Sequence, residues 1–331
     1  MMYYIESPAT NPHFNLALEQ FVFDRLDKRH NYFMLWRNDN AIIVGKHQNT
    51  VAEINAPYVK EHNIRVVRRL SGGGAVYHDL GNVNFTFIVS AGEQRPFDFA
   101  SFCRPVIRAL ASLGVTAELN GRNDMTIKDA KFSGNAQYRK RDRVMHHGTI
   151  LYDSNLSFVG KALVVPKDKI ESKGLQSVQS RVTNVKPHMQ TDIPVEHFMA
   201  ALKEAMFREY DMLPYTLQKK EFEETAALQK DVYDTWEWNY GASPSYTIYK
   251  ERRVAGCGKL EVYMDIPKGG VIADIAFYGD YFGNGDARKL AGAIIGQKLE
   301  RNALRASIGP TAVGECFHNM DTETFLDIIM E

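Results

Sequence analysis

The sequence predicts an α+β protein of two domains. Three observations carry this: an amphipathic opening helix, a run of short β-branched and aromatic segments behind it, and a change of texture after Trp236. Asn11-Pro12 is a helix start, a capping side chain followed by proline at the first helical position, and Phe14, Ala17, Leu18 and Phe21 recur at helical spacing. Residues 32–36, 41–44, 64–67 and 83–89 then read as strands of one sheet, separated by Asn, Asp and Gly. Residues 100–113 have helical periodicity ending at Gly114, and 126–131, 137–138 and 144–152 are extended. Helical alternation from Pro194 to Tyr210 and from Lys219 to Val232 predicts two surface helices packed on that sheet. The aromatic stretch Trp236-Glu237-Trp238-Asn239-Tyr240-Gly241 and the turn formers Ser243-Pro244-Ser245 mark a boundary, with domains expected at 1–242 and 246–331. In the second, residues 260–266, a turn at 267–270 and residues 271–278 predict a hairpin, with helical sequence from Asp286 onward.

Composition narrows the function classes. At 331 residues and 44% apolar content the chain can bury enough surface to fold without disulfides or a structural metal. Forty basic side chains balance 40 acidic ones, which argues against nucleic-acid binding by bulk charge. Cys103, Cys257 and Cys316 are widely spaced, without a Cys-x-x-Cys, and suggest neither a disulfide framework nor a zinc ribbon. The first residues lack the order of a secretory signal, and no apolar run reaches membrane-spanning length. A soluble cytoplasmic protein, with no membrane or nucleic-acid partner, is the expectation.

The most unusual segment is Arg68-Arg69-Leu70-Ser71-Gly72-Gly73-Gly74-Ala75-Val76-Tyr77-His78-Asp79. Adjacent glycines are entropically unfavourable in ordered structure and make sense where a ligand approaches the main chain, with Arg69 able to bind a carboxylate or phosphate through its planar fork. A plain hairpin turn is the alternative; the pattern matches neither a Walker A loop nor a dinucleotide fingerprint. A second constellation joins Gly121-Arg122-Asn123-Asp124 to Lys131-Phe132-Ser133-Gly134-Asn135-Ala136. Lys131 could reach into a cleft beside the glycines and Asp124 could offer oxygen to magnesium, but a solvated lysine and a turn aspartate fit the same residues. His146 and His147 should point to opposite faces of a strand, which does not suggest a zinc site. The basic run Tyr138-Arg139-Lys140-Arg141-Asp142-Arg143 reads as a contact for an acidic partner or a solvated hairpin tip, and Cys103 as a small buried hydrophobe.

Together with Phe14-Asn15-Leu16-Ala17-Leu18-Glu19, Leu35-Trp36-Arg37-Asn38, Val44-Gly45-Lys46-His47-Gln48-Asn49, His146-His147-Gly148-Thr149 and Trp236-Glu237-Trp238-Asn239, these segments resemble the lipoate-protein ligase A family of the biotin and lipoate ligase superfamily. The resemblance implies a large domain of mixed or antiparallel sheet flanked by helices, with a small α+β C-terminal domain that moves during the cycle. It implies ATP-dependent activation of lipoate to lipoyl-AMP with magnesium, then transfer to a lysine of apo lipoyl domains. The acceptors are those of 2-oxoacid dehydrogenase E2 subunits and the glycine-cleavage H protein, and a monomer is the default.

By the same resemblance Lys131 is the catalytic cation and contacts both lipoate and the adenylate phosphate. Arg69, Gly74, Ala75, Val76 and Tyr77 lie along ATP, and Arg69, His78 and Gly73 join Lys131 about lipoate. Asn123, Asp124, Ser133 and Thr149 are secondary candidates, with Asp124 as magnesium ligand; Leu18, Trp36, Val44 and Gly45 are candidates for an apolar slot. The alternatives are an octanoyl or lipoyl transferase of the same superfamily, which needs a cysteine nucleophile, and a non-catalytic lipoate-binding protein.

Overall fold

The structure, a computed structural model, describes residues 1–92, 98–121, 123–163, 182–240, 248–267, 270–310 and 312–330. It divides into two compact units: Met1–Val44 with Val51–Arg69 and Val76–Asn239, and Gly45–Thr50 with Leu70–Ala75 and Tyr240–Glu331. Arg122, the boundary residues 241–245 and Lys268-Gly269 of the expected hairpin turn lie outside the described residues.

The first unit is built on an eight-stranded sheet. Its strands are β1 (Met2–Glu6), β2 (Asn31–Trp36), β6 (Asn82–Ser90), β7 (Glu118–Asn120), β8 (Asp124–Ile127), β9 (Ala130–Lys140), β10 (Arg143–Leu151) and β11 (Met212–Pro214), in the order β11-β1-β2-β6-β10-β9-β8-β7. β1 runs parallel to β2 and β11, and the other pairings are antiparallel, so the sheet is mixed. Every residue of β6 but Ser90 is buried, the near-continuous burial of a strand covered on both faces. The expected single sheet needs correction. β3 (Ala41–Val44) and β4 (Arg65–Arg68) pair in parallel, and with β5 (Val76–His78) they form a separate three-stranded sheet. Short apolar runs do not announce which partner they will hydrogen-bond, because pairing is non-local.

Helix α1 (Pro12–Asp24) starts as its sequence requires, with the Asn11 side chain accepting from the His13 amide at 3.0 Å. Its C-terminal turn has no basic residue of its own. Arg143, at the start of β10, supplies the charge instead: its guanidinium donates to the carbonyls of Phe23 at 2.7 Å, Val22 at 3.3 Å and Leu26 at 3.4 Å. The same group lies over the rings of Phe23 and Tyr32. Arg143 is therefore neither a solvated tip residue nor a contact for a partner, and Lys140 beside it pairs with Asp24 at 3.0 Å.

The helix Val195–Glu209 packs against α4 (Ala100–Ser112) and also meets the sheet as expected, Phe207 standing edge-on to Tyr4 of β1 at 5.5 Å, whereas Lys219–Leu228, expected on the sheet, packs against α1. Phe198 stacks on Tyr152, the residue that follows β10, at 4.1 Å. The second unit carries a three-stranded antiparallel sheet of β12 (Ile248–Val254), β13 (Gly258–Asp265) and β14 (Asp274–Tyr278). β13 and β14 form the expected hairpin, while β12 hides behind charged alternation that shows no apolar face. The helical sequence after Asp286 resolves into four short helices whose Leu290, Ile294, Leu304, Phe325 and Ile329 pack on Leu260, Val262 and Phe277 of the sheet.

Because Arg143 is buried and satisfies several helix-end carbonyls, Arg143→Ala should lower unfolding free energy by about 3 kcal/mol, a sum of charge-assisted bonds and packing. Equilibrium denaturation measures it, and a loss below about 1 kcal/mol would mean that water replaces the cap at little cost.

Candidate active site

Antiparallel pairing of β8 with β9 places Lys131 opposite Thr126 and Gly134 opposite Asp124, with a register irregularity between Met125 and Thr126. The Lys131 ammonium lies 2.7 Å from Asp124 Oδ1, and the two side chains are 39% and 38% exposed. Neighbouring bonds brace this hairpin. Asn123 Nδ2 donates to the Asn135 carbonyl at 2.7 Å, the Asn135 amide returns to the Asn123 carbonyl at 3.0 Å, and Asn135 Nδ2 reaches Ser133 Oγ at 3.2 Å. From β10, Thr149 Oγ1 accepts the Gly134 amide at 3.1 Å. The secondary candidates Asn123, Asp124, Ser133 and Thr149 thus form one bonded frame around Lys131.

Arg69 follows β4 and is buried, its guanidinium donating to the Ile43 carbonyl at 3.1 Å. Burial pulls it down to about 10, against the opposing field of the Glu19 carboxylate, so it stays charged at neutral pH. Next to it, Arg68 donates to the Trp238 carbonyl at 2.9 Å while Trp238 Nε1 donates back to the Arg68 carbonyl at 2.9 Å, and the Arg68 amide reaches Asn239 Oδ1 at 3.0 Å. That exchange is what the Trp236-Glu237-Trp238-Asn239 segment does: it anchors the strand end from which Arg69 projects.

Sequence reasoning missed a buried polar chain under α1. Trp36 Nε1 donates to Thr86 Oγ1 at 2.9 Å, Thr86 donates to Glu19 Oε1 at 2.6 Å, and His147 Nδ1 stands 2.8 Å from the same oxygen. Glu19 is 2% exposed. The signal was present: a lone carboxylate inside the apolar stripe Phe14 to Phe21 must find buried partners.

His78, at the end of β5, joins a second branch. Asn15 Nδ2 donates to Asn38 Oδ1 at 2.9 Å, so Asn38 Nδ2 must donate to His78 Nδ1 at 3.1 Å, which assigns the imidazole proton to Nε2. That Nε2 is buried with no hydrogen-bond partner among the described residues, as is Asn84 Nδ2. Burial, with Arg69 and His147 adding to it, pulls His78 down to about 3. At neutral pH it is an uncharged donor. The other histidine of the pair, His146, faces away from Glu19 and stacks on Phe102 of α4 at 4.8 Å, as adjacent strand positions require. Cys103 is fully buried and its thiol is pushed up to about 12.

In the second unit the glycine loop has internal reasons for its composition. A side chain at Gly72 would collide with the Tyr281 carbonyl, and Gly73 has φ +89° and donates to that carbonyl at 3.4 Å. Gly74 meets only Asp280 side-chain atoms at ordinary contact distance. The Lys46 amide donates to the Ser71 carbonyl at 2.8 Å, which ties residues 45–50 to the loop. Close approach by backbone within the protein thus gives Gly72 a steric reason to lack a side chain. Ala75 belongs to this loop, whereas Val76 and Tyr77 lie on β5 in the first unit.

Among the described residues no three His, Cys, Asp or Glu side chains gather to hold a metal ion. Asp124, half-exposed and single, has the hard oxygen and the access of a carboxylate that shares magnesium with substrate phosphates and water. None of the described helices is long and apolar enough to cross a membrane.

A large mixed sheet bearing a braced lysine hairpin, a buried arginine at the end of a separate three-stranded sheet, and a small second unit define a two-part α+β class of protein with a cationic site. A family model for the lipoyl protein ligase A/B catalytic domain matches residues 11–207, and one for the bacterial lipoate protein ligase C-terminus matches 243–329. The lipoate-protein ligase LplJ of Bacillus subtilis is 40% identical over 99% of this chain and 100% of its own. LipL1 of P. falciparum, solved in complex with lipoate, has a TM-score of 0.79 at 25% identity, covering 100% of this chain and 98% of that one. A lipoate-protein ligase A bound with ATP (TM-score 0.61) and a chain from a structural analysis of a bipartite lipoate protein ligase and its E2 lipoyl domain from Thermoplasma acidophilum (0.64) are each 26% identical. They cover 72% and 75% of this chain and 98% of their own. The chain belongs to the lipoate-protein ligase family and is an enzyme of that type.

His78 sets a pH dependence. An unfolded histidine takes up its proton near pH 6.5 whereas the folded one resists until about 3, so stability is complete above 6.5 and falls with acidification between those values. The single-proton slope is about 1.4 kcal/mol per pH unit. His78→Gln should flatten the decline between pH 6 and 4 by roughly that slope in urea denaturation; an unaltered slope would mean His78 is protonated in the native state.

Proposed function

We propose that this protein activates lipoate with ATP to lipoyl-AMP, releasing pyrophosphate, and passes the lipoyl group to a lysine of apo lipoyl domains. The observation that carries the reading is the braced, half-exposed ammonium of Lys131 in a chain of this family. Attack of a carboxylate on an α-phosphate joins two anions, so positive charge held in place is what the reaction most needs. Lys131 supplies an accessible cation; Arg69 supplies a second one whose orientation the Trp238 exchange maintains. His78 Nε2–H offers an uncharged donor to a substrate oxygen. Gly73, Gly74, Ala75, Val76 and Tyr77 are assigned to ATP and lipoate by the resemblance. The apolar tail of lipoate suits a slot at Leu18, Trp36 and Val44, which are buried.

Magnesium belongs to this reading through Asp124, and when bound it would neutralise phosphate charge as pyrophosphate leaves. The acyl-adenylate is open to hydrolysis, so water exclusion until the acceptor arrives is part of the reading. An acceptor lysine near pKa 10.4 must lose a proton before attack, and in this reading the adenylate phosphate can take it. Acceptors are the lipoyl domains of 2-oxoacid dehydrogenase E2 subunits and the glycine-cleavage H protein, met in the cytoplasm by a monomeric enzyme. The transferase alternative is disfavoured by Cys103, Cys257 and Cys316, all buried, with burial pushing Cys103 to about 12 and Cys316 to about 11. A nucleophilic thiol needs the opposite shift.

The decisive experiment is mass spectrometry of a purified apo lipoyl domain after incubation with this protein, lipoate, ATP and magnesium. Gain of one lipoyl group that depends on ATP is expected, and no gain would overturn the reading. Lys131→Ala should lower lipoate-dependent pyrophosphate release by about 10² to 10³ fold, the usual loss of one electrostatic donor, with the fold intact. Near-normal release by that variant would remove Lys131 from the chemistry.

A further inference from the structure

We infer that Asp124 is the resting partner of Lys131, and that the ammonium exchanges this carboxylate for a substrate oxygen anion when lipoate binds. The inference rests on the lipoate-activating reading above and concerns how the same amine is held between turnovers.

Two features of the hairpin point to it. The first is the path of the lysine tail. A Cβ built on Gly134 would stand 3.1 Å from Lys131 Nζ and 3.2 Å from its Cε, so the end of the side chain lies along its own strand, over the space that a larger residue at 134 would fill. Gly134 is held there by the bond from its amide to Thr149, and the Lys131 carbonyl accepts the Thr183 amide at 2.8 Å, so both ends of the lysine's bed are fixed. The second is the partner at the end of that path, Asp124 Oδ1, at 2.7 Å.

A pair this accessible is weak in water and exchanges readily, which suits a temporary partner better than a structural one. One ammonium then faces two competing carboxylates, that of Asp124 and that of lipoate. Binding must separate the resting pair, so the Asp124 charge opposes lipoate binding while keeping the amine in place. Once the ammonium has moved, the Asp124 oxygens are released to solvent, since the side chain is 38% exposed.

The test is isothermal calorimetry of the full chain with lipoate at low ionic strength, with ATP and magnesium omitted. Asp124→Asn, or Asp124→Ala should the first not fold, is expected to tighten lipoate binding about two- to fivefold, the range of an exposed ion pair. Asp124→Glu should stay within about twofold of the native chain. In the Lys131→Met background, Asp124→Asn should produce no tightening. A merely structural Asp124 would loosen binding when changed, and a residue serving magnesium alone would leave it unmoved; either result overturns the exchange while leaving Lys131→Met weaker than the native chain. Should Lys131→Met bind lipoate as well as the native chain, the assignment of Lys131 to the substrate anion fails, and the exchange fails with it.

Discussion

A carboxylate buried under the first helix sets the terms for the larger unit. Glu19 sits at 2% exposure against the sheet, where an unpartnered charge would be prohibitively unfavourable. It is matched by Thr86 of β6 and His147 of β10, and its field offsets part of the desolvation of Arg69. These bonds tie α1 to two central strands, and through Trp36 to a third. Replacing one partner would strand the others, so the cluster behaves as a unit. The same helix is anchored at its far end by Arg143, which fixes both its position and its direction over the sheet.

Two environments for positive charge follow. Arg69 is buried and bound to main chain, suited to hold a fixed orientation; Lys131 is half-exposed and paired with one carboxylate, suited to change partner. In the proposed adenylating reaction both properties have a use. A fixed cation orients a substrate that must be placed accurately, and a mobile one can follow charge that shifts from carboxylate to phosphate. His78 adds a neutral donor that no ordinary change of pH would convert to a cation.

The cysteines and histidines illustrate how burial sorts residues that look reactive on paper. Cys103 and His146 face the apolar packing of α4, where the thiol is held protonated and the imidazole uncharged. One position along the same strand, His147 turns to Glu19 instead. The alternation of a β-strand thus sends the two imidazoles of a single dipeptide to different partners, His146 to Phe102, Gln137 and Asn135 and His147 to Glu19.

Local chemistry was legible in the sequence: the Asn11-Pro12 helix start, the end of α4 at Gly114 with φ +83°, the β13–β14 hairpin, and the opposite faces of His146 and His147 all follow from periodicity and turn residues. So was the family, because its motifs are contiguous. Partners distant in sequence were not legible. Glu19 and His147 lie 128 positions apart, and Arg143 caps carbonyls about 120 positions upstream. The assignment of β3 and β4 to a sheet of their own likewise depends on which backbone groups meet. The glycine loop shows the division most clearly: the cost of adjacent glycines can be read from composition, but only the folded chain identifies the Tyr281 carbonyl as the atom that Gly72 must admit. Steric and electrostatic complementarity between remote residues is a property of tertiary structure, and a linear pattern carries no record of it.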